Sequence, residues 1–62
     1  GQASQAMDII QAQLTALRSL QDRHPWLYLL EPAHEAADSL RSLLDILTER
    51  ATEEVLQDEY DV

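Results

Sequence analysis

The 62-residue sequence lacks several residue types on which small folds commonly depend. It has no Cys, Asn, Lys or Phe, and only one Gly, two Pro and two His. Without Cys, the chain can form neither a disulfide nor a zinc–thiolate site to staple its fold. A chain of this length also buries only a thin apolar core by itself. We therefore expect the fold to be completed by association with another chain.

Basic residues are also scarce, since four Arg stand against twelve acids and the formal charge is −8. The imbalance lies in the second half, because residues 1–30 sum to zero and residues 31–62 carry the whole −8. Such a charge disfavours nucleic acid and anionic membranes as partners and favours a protein with a basic surface. The sequence shows no signal peptide or membrane-spanning segment, which predicts a cytoplasmic location.

Apolar residues recur three and four positions apart in two segments, which predicts an all-α fold of two long helices. The first helix should cover about residues 4–23, with Ser4 as its N-cap and a stripe of Met7, Ile10, Leu14 and Leu17. The second should begin at Pro32, extend to about residue 59 and carry Leu40, Leu43, Leu44 and Leu47. This second stripe is wider than one two-helix seam needs, so we expect a four-helix bundle formed by association.

The predicted turn, residues 24–31, is apolar where a small helical protein usually has a polar loop. It reads "HPWLYLLE" and contains the only Trp of the chain. A run this apolar is unfavourable in open water. We expect Trp26, Tyr28 and Leu29 to seal the end of the bundle or to contact the second chain.

The C-terminal stretch 51–62, "ATEEVLQDEYDV", has five acids and no base, yet it also contains apolar side chains. Acids between apolar anchors suit a helix that is steered to a basic groove and then held there. The predicted partner-binding residues are Glu53, Glu54, Val55, Leu56, Asp58, Glu59 and Tyr60.

Two short motifs suggest chemistry, but the rest of the chain offers each little support. "HEAAD", residues 34–38, is similar to the zinc-binding pattern H-E-x-x-H, with Asp38 in place of the second His. "ADSL", residues 37–40, resembles the site where Ser39 would carry phosphopantetheine in a carrier protein, although only 23 residues follow that Ser. We predict no catalytic residue, metal or cofactor. A carrier-like protein and a regulatory dimerisation module remain alternatives.

The helical pair at residues 5–23 and 32–50 and the segment "ATEEVL", residues 51–56, resemble the C-terminal docking domain of a modular polyketide synthase. The family's pattern A-[ST]-[DE]-[DE]-aliphatic is met by Ala51 to Val55, whereas Gln57, Asp58 and Glu59 stand where the family usually continues with apolar residues. The resemblance implies a non-catalytic module in antibiotic biosynthesis that links successive megasynthase subunits. It further implies a four-helix bundle, formed as a homodimer or with a partner's helices, and an acidic helix that meets the basic N-terminal element of the next subunit.

Overall fold

The structure, a computed structural model, describes the backbone of residues 1–60 and the side chains of residues 1–58. It consists of helix α1 (Gln2–Arg23), a 3₁₀ turn (Pro25–Leu29) and helix α2 (Glu31–Tyr60). The two long helices pack against each other, and no strand occurs in residues 1–60. The predicted all-α fold is thereby confirmed.

Helix α1 starts earlier than predicted. Gly1 is its N-cap and makes no side-chain capping bond, so the prediction of Ser4 as N-cap is wrong. The physical reason is packing, because Ala3 is buried at 5% exposure between the helices and keeps the first turn helical. The helix ends at Arg23 since the residue before Pro25 is disfavoured in helical geometry, and His24 takes φ −132° and ψ 78°.

Helix α2 begins at Glu31, one residue before the predicted start at Pro32. Leu30 is extended, with φ −93° and ψ 119°, and Pro32 lies in the first helical turn, where its missing N–H removes no hydrogen bond. Ala33 N–H donates to the Leu30 carbonyl at 3.1 Å. Glu31 places an acid at the positive end of the helix dipole.

The seam between the helices follows a regular heptad spacing. Its buried and half-buried positions alternate four and three residues apart, the period of antiparallel helices that pack knobs into holes. The α1 positions are Ala3, Met7, Ile10, Leu14, Leu17 and Gln21, and the α2 positions are Ala33, Ala37, Leu40, Leu44, Leu47 and Ala51. Gly1 lies against Glu54, and Leu14 and Leu44 border one groove, which fixes the register.

The seam alone gives a thin core. Among the described side chains, only Ala3, Leu14 and Gln21 are buried. The accessible surface is 5011 Å² for a chain of 7.0 kDa, whereas a compact monomer of that mass exposes about 4000 Å². The surplus of about 1000 Å² reflects the elongated shape of the hairpin, which extends over 52 × 16 × 11 Å. The single hairpin therefore leaves most of its side chains exposed or half-buried.

Candidate interaction surface

One broad side of the hairpin is polar from Ser4 to Asp22 on α1 and from His34 to Thr52 on α2. The shallow groove on that side joins Gln11, Thr15 and Arg18 of α1 to Arg41 and Asp45 of α2. These residues belong to two heptad rows, one on each helix, in which every position is polar. The rows are Ser4, Asp8, Gln11, Thr15, Arg18 and Asp22 on α1, and His34, Asp38, Arg41, Asp45, Thr48 and Thr52 on α2. We call this side the polar face.

The opposite broad side is apolar. Because the two polar rows share one side, the rows on the other flank of each helix share the opposite side. Those rows are Ala6, Ile9, Gln13, Ala16 and Leu20 on α1, and Ala36, Ser39, Leu43, Ile46 and Arg50 on α2. Seven of these ten side chains are apolar, and we call this side the apolar face.

The large side chains of the apolar face lie open to solvent. Ile9 and Ile46 are each 62% exposed, Leu43 is 41% exposed and Leu20 is 40% exposed. No acid occurs among the ten positions, although the chain has twelve. Contiguous exposed apolar surface bordered by polar residues is typical of interaction sites. The absence of acids makes this face the part of the chain best suited to a dry contact.

The 3₁₀ turn is fastened to both helices through Tyr28. Its hydroxyl donates to Asp22 Oδ1 at 2.9 Å, and its carbonyl accepts from His34 Nε2 at 2.5 Å. Asp22 and His34 both belong to the polar face, so Tyr28 lies on that side. The turn is therefore held in place by hydrogen bonds as well as by Pro25.

Trp26 and Leu29 of the turn project in a different direction from Tyr28. In a 3₁₀ helix residues i and i+3 share a direction, so Trp26 and Leu29 project together. The turn has three side-chain directions. Leu27 is half-buried toward the helices and Tyr28 lies on the polar side, so Trp26 and Leu29 take the remaining direction. Trp26 is 58% exposed and Leu29 is 86% exposed. We call Trp26 and Leu29 the turn patch. Their role in sealing the end of a bundle stays a prediction.

The hydrogen bond to Asp22 raises the pKa of the Tyr28 phenol above its ordinary value near 10, with smaller contributions from desolvation and from the Asp22 charge. Since the folded pKa is the higher one, this bond stabilises the fold below the unfolded pKa and is lost as the pH rises through the folded pKa. In Tyr60→Phe, where Tyr28 is the only phenol, we expect ultraviolet titration to give a pKa above 10. Adding Asp22→Ala should lower that pKa, whereas adding Asp8→Ala should leave it unchanged. An unshifted Tyr28 in the Tyr60→Phe chain would contradict this assignment.

The acidic end, which we define as residues 53–58, offers both charge and apolar surface. Val55 is 59% exposed and Leu56 is 47% exposed, while Glu53 and Asp58 are exposed acids. Glu53 forms a loose ion pair with Arg50 at 3.9 Å, and two such exposed side chains gain little from pairing. Glu54 is half-buried against Gly1, so its side chain contacts the N-terminus of the same chain.

Some predicted partner residues lie beyond this description. The side chains of Glu59 and Tyr60, and all of residues 61–62, are outside the described part of the chain. Their predicted role in partner binding stays a prediction.

The motifs that suggested chemistry fall on the surface of α2. His34 and Asp38 lie on the polar face, where His34 is occupied by the Tyr28 carbonyl. Ser39 is exposed on the apolar face, in the interior of α2 and not at the start of a helix. Among the side chains of residues 1–58, no three His, Asp or Glu cluster as metal ligands. No described helix is both long enough and apolar enough to cross a membrane.

The chain matches no protein-family model, and no curated protein or solved structure matches it either.

The predicted bundle core divides between two surfaces. Seven of its helical residues occupy the seam, namely Met7, Ile10, Leu14, Leu17, Leu40, Leu44 and Leu47. Leu43 lies outside the seam on the apolar face, next to Ile46. The prediction omitted Ile9, Leu20 and Ile46 from the core set, although the spacing 9-13-16-20 on α1 and 39-43-46-50 on α2 contained the signal for a second row.

Proposed function

We propose that this chain is a non-catalytic protein–protein docking module, of the kind that links successive subunits of a modular polyketide synthase in the cytoplasm. Its apolar face joins another helical hairpin to complete a four-helix bundle. Its acidic end recruits the basic element of the next subunit. The observation that carries the proposal is the apolar face, which exposes four large aliphatic side chains and no acid in a chain of charge −8.

The apolar face supports association for an energetic reason. Burying a Leu or Ile side chain fully contributes about 1.5–3 kcal/mol, and a second hairpin would cover Ile9, Leu20, Leu43 and Ile46 together. The single-chain seam buries only two apolar side chains, so the contact with a second hairpin would supply much of the core. The polar face, with no apolar residue in either row, stays in water.

The acidic end supports recruitment of a basic partner. The charges of Glu53 and Asp58 are exposed, so they act at a distance, speed encounter and are screened by salt. Val55 and Leu56 give the arriving partner apolar surface to cover once it is in place.

A peptide probe tests this function without knowledge of the natural partner. The probe is a synthetic amphipathic helix with Leu on one side and Lys and Arg on the other, and its control carries Glu in place of the basic residues. We expect the basic peptide to bind with an affinity that falls steeply as salt is raised, and the acidic peptide not to bind, as followed by fluorescence anisotropy. Equal binding of both peptides, or binding that salt does not change, would contradict the proposed recruitment.

A further inference from the structure

The groove on the polar face contains a pair of arginines, one from each helix. Arg18 of α1 and Arg41 of α2 are two of the four Arg in the chain, and both line a groove of about 240 Å³. Among the side chains of residues 1–58, the one ion pair joins Arg50 to Glu53 at 3.9 Å, so no acid contacts either guanidinium of the groove. Guanidinium groups bind carboxylates through two parallel hydrogen bonds. The groove therefore offers a place for the carboxylate of a ligand.

Two further hydrogen-bonding side chains of the groove are available to a ligand. Thr48 and Thr52, which lie on the polar face outside the groove, each donate their hydroxyl to the carbonyl four residues earlier, at 2.8 and 3.0 Å. The side-chain hydrogen bonds of residues 1–58 include none from Thr15 or Gln11, which line the groove. A hydroxyl and an amide thus stand beside the two guanidinium groups as additional donors.

The rest of the lining adds an acid and an apolar floor. Asp45 supplies one carboxylate, and Leu14 and Leu44 supply apolar surface. Asp45 follows Arg41 by one turn of α2, a rise of about 6 Å, and it lies farther from the 3₁₀ turn than either Arg does. The groove therefore carries positive charge toward the 3₁₀ turn and negative charge away from it, with apolar surface beneath.

The volume and the charges together favour a small ligand with no net charge. The groove is smaller than the roughly 300–1,000 Å³ of sites that hold drug-sized ligands. A dianion such as free phosphate is repelled by the chain charge of −8 at long range and by Asp45 within the groove. A zwitterion avoids both penalties, because its charges cancel at a distance and pair with opposite charges inside the groove.

We propose that this groove binds a small ω-amino acid, in which a short methylene chain joins a carboxylate to an ammonium group. Arg18 and Arg41 bind the carboxylate, Asp45 binds the ammonium group, and the methylenes lie on the two leucines. The groove is on the side that the proposed four-helix bundle leaves in water, so the ligand site and the bundle are independent of each other.

ε-Aminocaproate is the probe that tests this site. Caproate and hexylamine are its matched controls, because each keeps the carbon chain and only one of the two charged groups. We expect ε-aminocaproate to shift the backbone amide signals of Gln11–Arg18 and Arg41–Asp45 in a saturable NMR titration, with a dissociation constant on the order of 1 mM. Each control leaves one end of the groove unpaired and should bind at least about tenfold more weakly, since a hydrogen bond to a charged group contributes about 1.5–3 kcal/mol.

Three variants assign the two ends of the ligand. Arg41→Gln should weaken the binding of ε-aminocaproate at least about tenfold, and Asp45→Asn should remove its advantage over caproate. Arg50→Gln, which removes an Arg from the apolar face, should leave the affinity unchanged. All three side chains are exposed, so circular dichroism should show the same helicity for each variant.

Several results would overturn the proposed ligand site. These are equal affinity for the three probes, amide shifts confined to the apolar face, an equal loss in Arg50→Gln and Arg41→Gln, and no saturation at concentrations on the order of 50 mM. None of them changes the expected mass of the chain, which tests the bundle separately.

Discussion

Leu43→Asp should convert the associated chain into a helical monomer, raising the dimer dissociation constant by at least about 100-fold, or roughly 3 kcal/mol. In the single hairpin Leu43 is 41% exposed, so an Asp there can remain hydrated and the helices should stay folded. In the bundle the same position is covered, and each copy would bury a carboxylate without a partner. Sedimentation equilibrium with circular dichroism on the same samples measures both quantities.

Two matched variants locate the effect. Leu44→Asp puts the same carboxylate into the seam one residue away, so it should unfold the hairpin and lower the helicity itself. Thr15→Asp lies at about the same height as Leu43 but on the polar face, next to Arg18, and should change neither mass nor helicity. If Leu43→Asp and Thr15→Asp leave the same dimer, the apolar face is not the contact.

Reversing the charge at the acidic end should give the second large effect. In Glu53→Lys/Asp58→Lys we expect the basic peptide probe to bind at least about tenfold more weakly, with a shallower dependence on salt. Both side chains are exposed, so helicity and mass should be unchanged. Glu54 is left as it is, because its side chain lies against Gly1.

A second double reversal distinguishes a local site from the overall charge. Asp38→Lys/Asp45→Lys changes the net charge by the same amount, but on the polar face. If the acidic end is the docking element, this variant should keep most of the affinity for the peptide. Equal losses in the two variants would mean that the probe senses only the net charge of −8.

Much of the fold could be predicted from the sequence because its signals are local. The heptad-like recurrence of Leu14, Leu17, Leu40 and Leu44 and the positions of Pro25 and Pro32 determine two helices and the turn between them. The predicted start of α1 is wrong because Ala3 packs in the seam. This tertiary effect outweighs the preference of Ser4 for the N-cap position.

The surface was less predictable, since it depends on how the helices are rotated against each other. The sequence indicates that Leu43 and Leu44 cannot both fit one seam, but not which of them faces outward. The structure shows which one does. The groove that joins Arg18 to Arg41 brings the two polar rows to one side of the hairpin, so Leu43 lies on the opposite side. The spacing of apolar residues also does not predict the hydrogen bond between Tyr28 and Asp22, since that bond depends on the path of the 3₁₀ turn.

The most direct test of the central claim, that the apolar face completes a bundle, is the solution mass of the 62-residue chain. Sedimentation equilibrium over a concentration series, with helicity recorded on the same samples, measures it. We predict a mass that rises from 7.0 kDa toward twice that value while the chain stays helical. A fully helical chain whose mass stays at 7.0 kDa up to millimolar concentration would contradict the account, because the apolar face would then be stable in water on its own.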